Sequence, residues 1–364
     1  MRALVLGGYG AVGGRIVAQL RAGGGVAFAA GRDPARADRV VNLAEAGSLR
    51  AALSGVDVVV NAAGVEDPAV AAVVTGHGAA LVDITASSGY VAALERLGPP
   101  RPVLLSVGLA PGLTNLLAAA VHAAAPGPVD LAVLLGAGER HGAAAVAWSY
   151  GLLGRRFRDP ATGDQVRNYT QPRRIGLPGQ GRRRLYRADF CDQHVLTRDL
   201  QAPVRTYFGL DSRLATAALA ALTWIPGASR TPRGLHLPGS DRWLVLARGR
   251  EGTSRWASGR IQSHATAMLA ATAARAAAAL PAGVHHLHQV LTLADIPTGR
   301  GIHLEHRARA HYDRRRAGRV RHAAARRNLF GRLLGCIHTV WPPASATTKT
   351  PPPQPTPTAH AKAA

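Results

Sequence analysis

Lysine is nearly missing from this chain of 364 residues: Lys349 and Lys362 are the only two, both in a Pro/Thr/Ala-rich stretch near its end. The body of the chain therefore has no amine for a Schiff base and no P-loop lysine. It also has no lysine for the Tyr-x-x-x-Lys dyad of short-chain dehydrogenases. Cysteine is as scarce. Cys191 and Cys336 are too few and too separated for a metal knuckle or a disulfide framework. That scarcity, with no signal-peptide pattern before the first apolar run, leads us to expect a reducing cytoplasm. Long apolar runs are absent as well. The most apolar stretches, near 113–125 and 264–280, are alanine-rich and interrupted by His122 and Arg275, so they read as core helices. No membrane partner is expected.

Acidic residues are outnumbered, 21 against 44 basic ones, for a formal net charge of +23. Arginine accounts for all the basic residues but the two lysines, and the accompanying wealth of alanine, glycine and proline matches GC-rich coding as well as any selected function. Residues 301–332 hold ten arginines against Glu305 and Asp313, with Tyr312 and Phe330 the aromatics between them. Such a run attracts phosphate without specificity, so no specific nucleic-acid partner is expected.

What the chain does have begins at residue 4 with LVLGGYGAVGGRIVAQL. An apolar run leads into Gly8, Gly10 and Gly13 in G-x-G-x-x-G spacing, followed by Ile16, Val17 and Leu20 at helical intervals. The stretch reads as strand, tight turn and helix, with a dinucleotide pyrophosphate over the turn Gly8, Tyr9, Gly10, Ala11, Val12 and Gly13. A second apolar run, VAFAAGRDPAR, follows from residue 26. NAD sites carry an acidic residue at the end of that strand, whereas here Gly31 leaves room and Arg32 offers a guanidinium to a 2′-phosphate. This points to NADP over NAD, the alternative being that Asp33 takes the ribose.

Strand-like runs at 55–64, 79–85 and 102–108 alternate with helices and predict a doubly wound parallel sheet, an α/β Rossmann domain over residues 1–118. Ligands sit beyond the carboxyl ends of such strands, which adds Asn61, Ala62, Ala63, Gly64 and Thr85 to the cofactor residues. From residue 119 to 304 the pattern shifts: an apolar strand, a polar loop and a helix within 129–148, then period-two strands at 182–190, 204–210 and 242–249, with a helix over 264–280. We expect an α+β domain with a mixed sheet for substrate binding and dimer contact. Residues 305–364, basic and then Pro/Thr-rich, are expected to stay unfolded and to be dispensable for the fold and for cofactor binding.

Residues 1 to about 300 resemble the saccharopine dehydrogenase family, in its reductase-like bacterial branch. The resemblance rests on GGYGAVGG, AGRDPAR, VGLAPGLTNLLA (107–118), LLGAGERHGAAAVAW and FCDQHVL (190–196). It implies a Rossmann domain, a second α+β domain that often carries the dimer contact, and a C-terminal segment returning to the first domain. It also implies NADPH-dependent reduction of an imine. Carried over residue by residue, it assigns Gly8, Gly10, Gly13, Arg32 and Asn61 to the cofactor and puts Pro111, Gly112, Thr114 and Asn115 at the substrate cleft. The lysine of the lysine-forming fungal members has no counterpart here, so the substrate does not carry over.

With lysine absent, histidine is the natural proton donor for hydride chemistry. His141 follows Glu139 in a loop, and His194 lies two residues from Asp192. Arg213 is a candidate clamp for a substrate carboxylate, with Glu139 beside the same cleft. Thr114 reads as the N-cap of a helix opening at the cleft. His285, His286 and His288 have no acidic or cysteine neighbour in the sequence to complete a metal set, so no metal is expected. The functional reading is an NADP-dependent oxidoreductase acting on the C=N or C=O of a small amino-acid-like substrate. The alternative is an NADP-binding regulator without turnover.

Overall fold

The first apolar run becomes β1 (Arg2–Leu6), buried on both faces: Ala3 and Val5 join one core cluster, Leu4 and Leu6 another. Burial on both sides is why this strand and its parallel neighbours read as unbroken apolar runs rather than as alternation. The computed structural model describes residues 1–139, 143–230, 239–299 and 301–307, all within one compact unit, Met1–Ala310. His141 and the arginine-rich stretch beyond Arg307 fall outside the described residues.

After β1 come α1 (Gly13–Ala22), β2 (Val26–Gly31), β3 (Arg39–Val40), α2 (Ala46–Ala51), β4 (Val58–Asn61), α3 (Pro68–Gly76), β5 (Ala80–Asp83), α4 (Ser88–Glu95) and β6 (Pro102–Leu105). The chain then crosses through α5 (Thr114–Ala124) to β7 (Val129–Leu135), α6 (Ala143–Gly151), the hairpin β8 (Arg156–Arg158) and β9 (Gln165–Arg167), β10 (Thr170–Leu177) and β11 (Gly181–Arg187). There follow α7 (Cys191–Asp199), β12 (Val204–Leu210), α8 (Arg213–Leu222), β13 (Arg242–Arg248), β14 (Ser254–Arg260) and α9 (Gln262–Ala277). β15 (Gly283–His286), α10 (Leu287–Val290) and β16 (Ile302–Arg307) complete the described chain.

The first sheet has the order β15-β6-β5-β4-β1-β2-β3 and is parallel throughout, so β15 brings the chain back to the Rossmann-like domain. The second is mixed, in the order β10-β11-β12-β7-β13-β14-β16, with β7 and β12 parallel and the other pairs antiparallel. One core cluster runs from Val5 and Ile16 through α5 and α9 to Leu131 and Trp243, joining the sheets. In α9, Ala267, Ala270, Ala271, Ala273, Ala274 and Ala277 are completely buried. Their small side chains let one helix lie close against α1 and against strands of both sheets.

Strands β10, β14 and β16 were not apparent from the sequence, and β16 alters one expectation. The second domain's sheet continues through Arg307, past 304, with Ile302 fully buried and the strand paired with β14 from Gly259 to Ser254. A chain stopped at Gly301 should therefore be less stable than one stopped at Arg307. The expected deficit is at least the about 1.5–3 kcal/mol that burial of an isoleucine side chain contributes. Thermal melting of the two truncations checks this; equal midpoints would contradict it.

Candidate functional site

The carboxyl ends of β1, β2, β4, β5 and β6 form one edge of the parallel sheet, and the loops after them build the site. Gly7 opens the first loop with φ +71°, a left-handed turn that other residues resist, and a Cβ there would stand 2.7 Å from the Ala62 carbonyl oxygen. Gly8 lies close on β2, where a Cβ would come within 2.5 Å of the Ala29 Cα. At Gly13 a Cβ would overlap the Gly7 carbonyl oxygen, so α1 can start this near the turn only as glycine. Gly10 differs: the Gly7 oxygen at 3.1 Å is all a Cβ would meet. Ala11 is exposed and Val12 half-buried as the residue before α1. Gly7 was missed in the sequence because it lies outside the G-x-G-x-x-G spacing.

The end of β2 is shaped by Tyr9. Its ring fills the space that a Gly31 side chain would need, and its hydroxyl accepts a hydrogen bond from the Asp33 amide at 3.1 Å. Arg36 lies over the ring at 4.4 Å and donates to the Tyr9 carbonyl at 3.1 Å, clamping the loop. Asp33 closes its own turn by accepting from the Ala35 amide at 3.0 Å. Arg32 is exposed, with no hydrogen-bond or ion-pair partner among the described residues. Its guanidinium is thus free for an anion.

At β4 the Asn61 side chain faces inward. It is 2% exposed and donates to the Val65 carbonyl at 3.0 Å and to Asp83 at 2.8 Å, so it braces the loop instead of presenting an amide to a ligand. Burial raises the Asp83 carboxyl above its ordinary range despite bonds from Thr85 and Asn61, and burial together with Asp83 raises Tyr90, which donates to Asp83 at 3.1 Å. Ala62, Ala63, Gly64 and Thr85 keep partial or full exposure along the edge.

The turn after β6 corrects a second assignment. Thr114 is not an N-cap: its backbone is already helical, at φ −58° and ψ −40°, so its hydroxyl cannot reach forward to the free amides. Asn115 folds back to accept from the Gly112 amide at 2.8 Å. Pro111, Gly112, Thr114 and Asn115 are all buried, and Ala110 between Leu109 and Pro111 keeps partial exposure.

His194 is held at 2.6 Å from Asp189 through Nε2, and Asp189 also accepts from Ser88 at 3.0 Å, at the start of α4. The Cys191 amide donates to the Ala86 carbonyl, docking the start of α7 on the loop after β5. The imidazole therefore lies at the same sheet edge as the glycine loop. Its partner is not Asp192, whose carboxyl is fully buried and accepts from Thr206 at 2.7 Å. Residues two apart on a helix point to different faces. Burial is also what raises the Asp192 carboxyl above its ordinary range.

A cleft of about 310 Å³ is lined by Ala11, Arg15, Gly138, Glu139, Asp241, Ile261 and Ser263, between the glycine loop and the second domain. Glu139 borders it but serves mainly as a cap for α9, accepting from the amides of Gln262 at 2.6 Å and Ser263 at 3.1 Å and from the Ser263 hydroxyl at 2.7 Å. Arg213 is exposed at the start of α8 and has Arg183 as its charged neighbour. No described contact joins Arg213 to the glycine loop or to His194.

The histidine cluster also differs from its reading in the sequence. His286 meets Glu95 at 2.8 Å and Ser106 at 2.9 Å, and His288 meets Asp199 at 3.1 Å. Carboxylates absent nearby in the sequence are supplied by α4 and α7. No group of three or more His, Cys, Asp or Glu side chains arranged for a metal occurs among the described residues.

No protein-family model and no curated protein matches this chain. Solved structures do. Apo saccharopine dehydrogenase (L-Glu forming) from Saccharomyces cerevisiae is similar at 13% identity and TM-score 0.56, over 84% of this chain and 99% of that one. DAP dehydrogenase from C. glutamicum follows at 16% identity and TM-score 0.46, over 80% and 94%. An amine dehydrogenase from Mycobacterium smegmatis gives 13% and 0.39, over 80% and 96%. At such identities the likeness is one of fold, and the weight rests on the first, which matches the resemblance read from the sequence.

Proposed function

We propose that the chain is an NADP-dependent oxidoreductase, moving hydride to or from the C=N or C=O of a small amino-acid-like substrate. One observation carries this reading: His194, oriented by Asp189, lies at the same sheet edge as a glycine loop and an unpaired Arg32. The fold shared with the yeast saccharopine dehydrogenase supports it.

The residues fit a dinucleotide. The first amides of α1 suit a pyrophosphate, and the exposed, unpartnered Arg32 suits a 2′-phosphate, while the space beside Gly31 is filled by the Tyr9 ring and is not left for the ligand. When bound, the nicotinamide supplies or accepts the hydride. The protein's own part is the proton. Asp189 accepts from Nε2 of His194, which leaves Nδ1 to give or take a proton, and the side chain is 29% exposed, enough to reach a substrate. Phe157 meets the imidazole edge-on at 6.2 Å and limits its rotation.

The test is NADPH oxidation over a panel of amine and keto-acid pairs. His194→Asn should lower kcat by about 10²- to 10⁴-fold, the usual range for losing a general acid, with NADPH affinity unchanged. A full rate from the variant would remove His194 from the chemistry.

A further inference from the structure

Residues 214–229, covering most of α8 and the turn after it, contain no charged side chain, in a chain that is 18% charged as a whole. A surface helix ordinarily buries one apolar face and shows a polar one. Here α8 buries Ala215, Thr216 and Leu219, while Leu214, Ala217, Ala218 and Ala221 face outward, continued by Trp224 and Ile225. Leu214 is 84% exposed, Trp224 63% and Ile225 55%. An indole and two branched aliphatic side chains thus stand in water on one side of one short segment.

The rim of this stripe is cationic. Arg213 opens α8 and is exposed. Arg167 lies over the Trp224 ring at 4.7 Å and donates to the Thr223 carbonyl. The Gly154 amide donates to the Thr223 hydroxyl, bringing exposed Arg155 beside the end of the helix, and Arg156 pairs across from Arg167 in the β8–β9 hairpin. The acids close by are largely engaged: Asp211 accepts from the amides of Ala137, Ser212 and Ser240, and Asp159 pairs with Arg187. Asp164, in the hairpin turn, is the exposed acid of that region.

We propose that this face rests on an anionic membrane surface, with Leu214, Trp224 and Ile225 in the headgroup boundary and the arginine rim against lipid phosphates. An apolar stripe bearing a tryptophan and flanked by arginines is the composition of an interfacial helix. A second copy of the chain fits less well, since it would bring one arginine rim against another. At ten residues, about 15 Å, α8 lies along a membrane and does not cross it. No described helix is long and apolar enough to cross a membrane.

The test is co-sedimentation of the full-length chain with vesicles of phosphatidylcholine alone or mixed with phosphatidylglycerol. It compares wild type with a triple variant, Leu214→Gln, Trp224→Gln and Ile225→Gln. These side chains are exposed, so the variant should keep the wild-type circular dichroism and melting point. Wild type should sediment with the anionic vesicles only, less in high salt, and the variant should bind about tenfold more weakly or worse. The arginine run of 307–332 is intact in both, so the difference reports on α8. Equal sedimentation of the two, or none by wild type, overturns the proposal. So does a wild-type dimer that the triple variant converts to a monomer in analytical ultracentrifugation, which would assign the face to a second copy.

Discussion

Replacing Gly13 by alanine should abolish NADPH binding at concentrations that saturate the wild type. The added Cβ would overlap the Gly7 carbonyl oxygen and stand 2.8 Å from its carbon, and both are backbone atoms with no side-chain freedom to yield. The turn must open, moving the first amides of α1 off the position a pyrophosphate needs. A displacement on the scale of an ångström takes the amides out of hydrogen-bond range of the phosphate. Overpacking should also lower stability by about 1–3 kcal/mol. Gly10→Ala is the milder comparison, since its Cβ would meet the Gly7 carbonyl oxygen at 3.1 Å, a tight contact without overlap. That variant should melt nearer to wild type and keep more of the NADPH affinity than Gly13→Ala. Fluorescence titration and melting of both variants check this; wild-type affinity in Gly13→Ala would contradict it.

The second large effect is expected in the other domain. Arg187 and Asp159 meet at 2.8 Å with side chains 3% and 4% exposed, and Arg187 also donates to Gln193 at 3.0 Å. Arg187→Met leaves the Asp159 carboxylate buried with Arg205, at 3.6 Å, as its cationic neighbour among the described residues. Breaking one side of such a pair typically costs about 3–5 kcal/mol. Its pH dependence follows from the carboxyl. Burial alone would raise Asp159, but the hydrogen bonds from Arg187 and the Ala161 amide, with the nearby guanidinium charge, outweigh it and hold the group below its ordinary range. A carboxyl lowered on folding contributes stability above its unfolded pKa, and that contribution is lost as pH falls through its folded value. Wild type should therefore lose stability steeply in acid, and Asp159→Asn should flatten that part of the curve. Denaturant unfolding across pH measures both, and parallel curves would contradict the assignment.

The parallel sheet was legible because strands covered on both faces must be apolar at every position, as in Leu4–Leu6 and Val58–Val60. The glycine loop was legible because close backbone approach leaves a spacing that few other structures require. Strands β10, β14 and β16 were not, since TQPRRIGL, SRWASGR and IHLEHR are arginine-, glycine- or histidine-laden and gain their order from pairing within a sheet. The His194 partner could have been corrected from sequence alone, because Asp192 sits two residues away on one helix and cannot share its face. The carboxylates beside the histidine cluster could not, for Glu95 lies 191 residues from His286 and Asp199 lies 89 from His288. The inward turn of Asn61 likewise depends on Asp83, across a strand pair.

The proposed NADP site at the end of β2 is tested most directly by parallel titration of the full-length chain with NADPH and NADH, repeated for Arg32→Ala. Wild type should bind NADPH more tightly, and the substitution should remove about 1–3 kcal/mol from NADPH binding, the worth of charge-assisted hydrogen bonds, while leaving NADH affinity nearly unchanged. Equal loss for both cofactors, or no binding of either by the wild type, would contradict it.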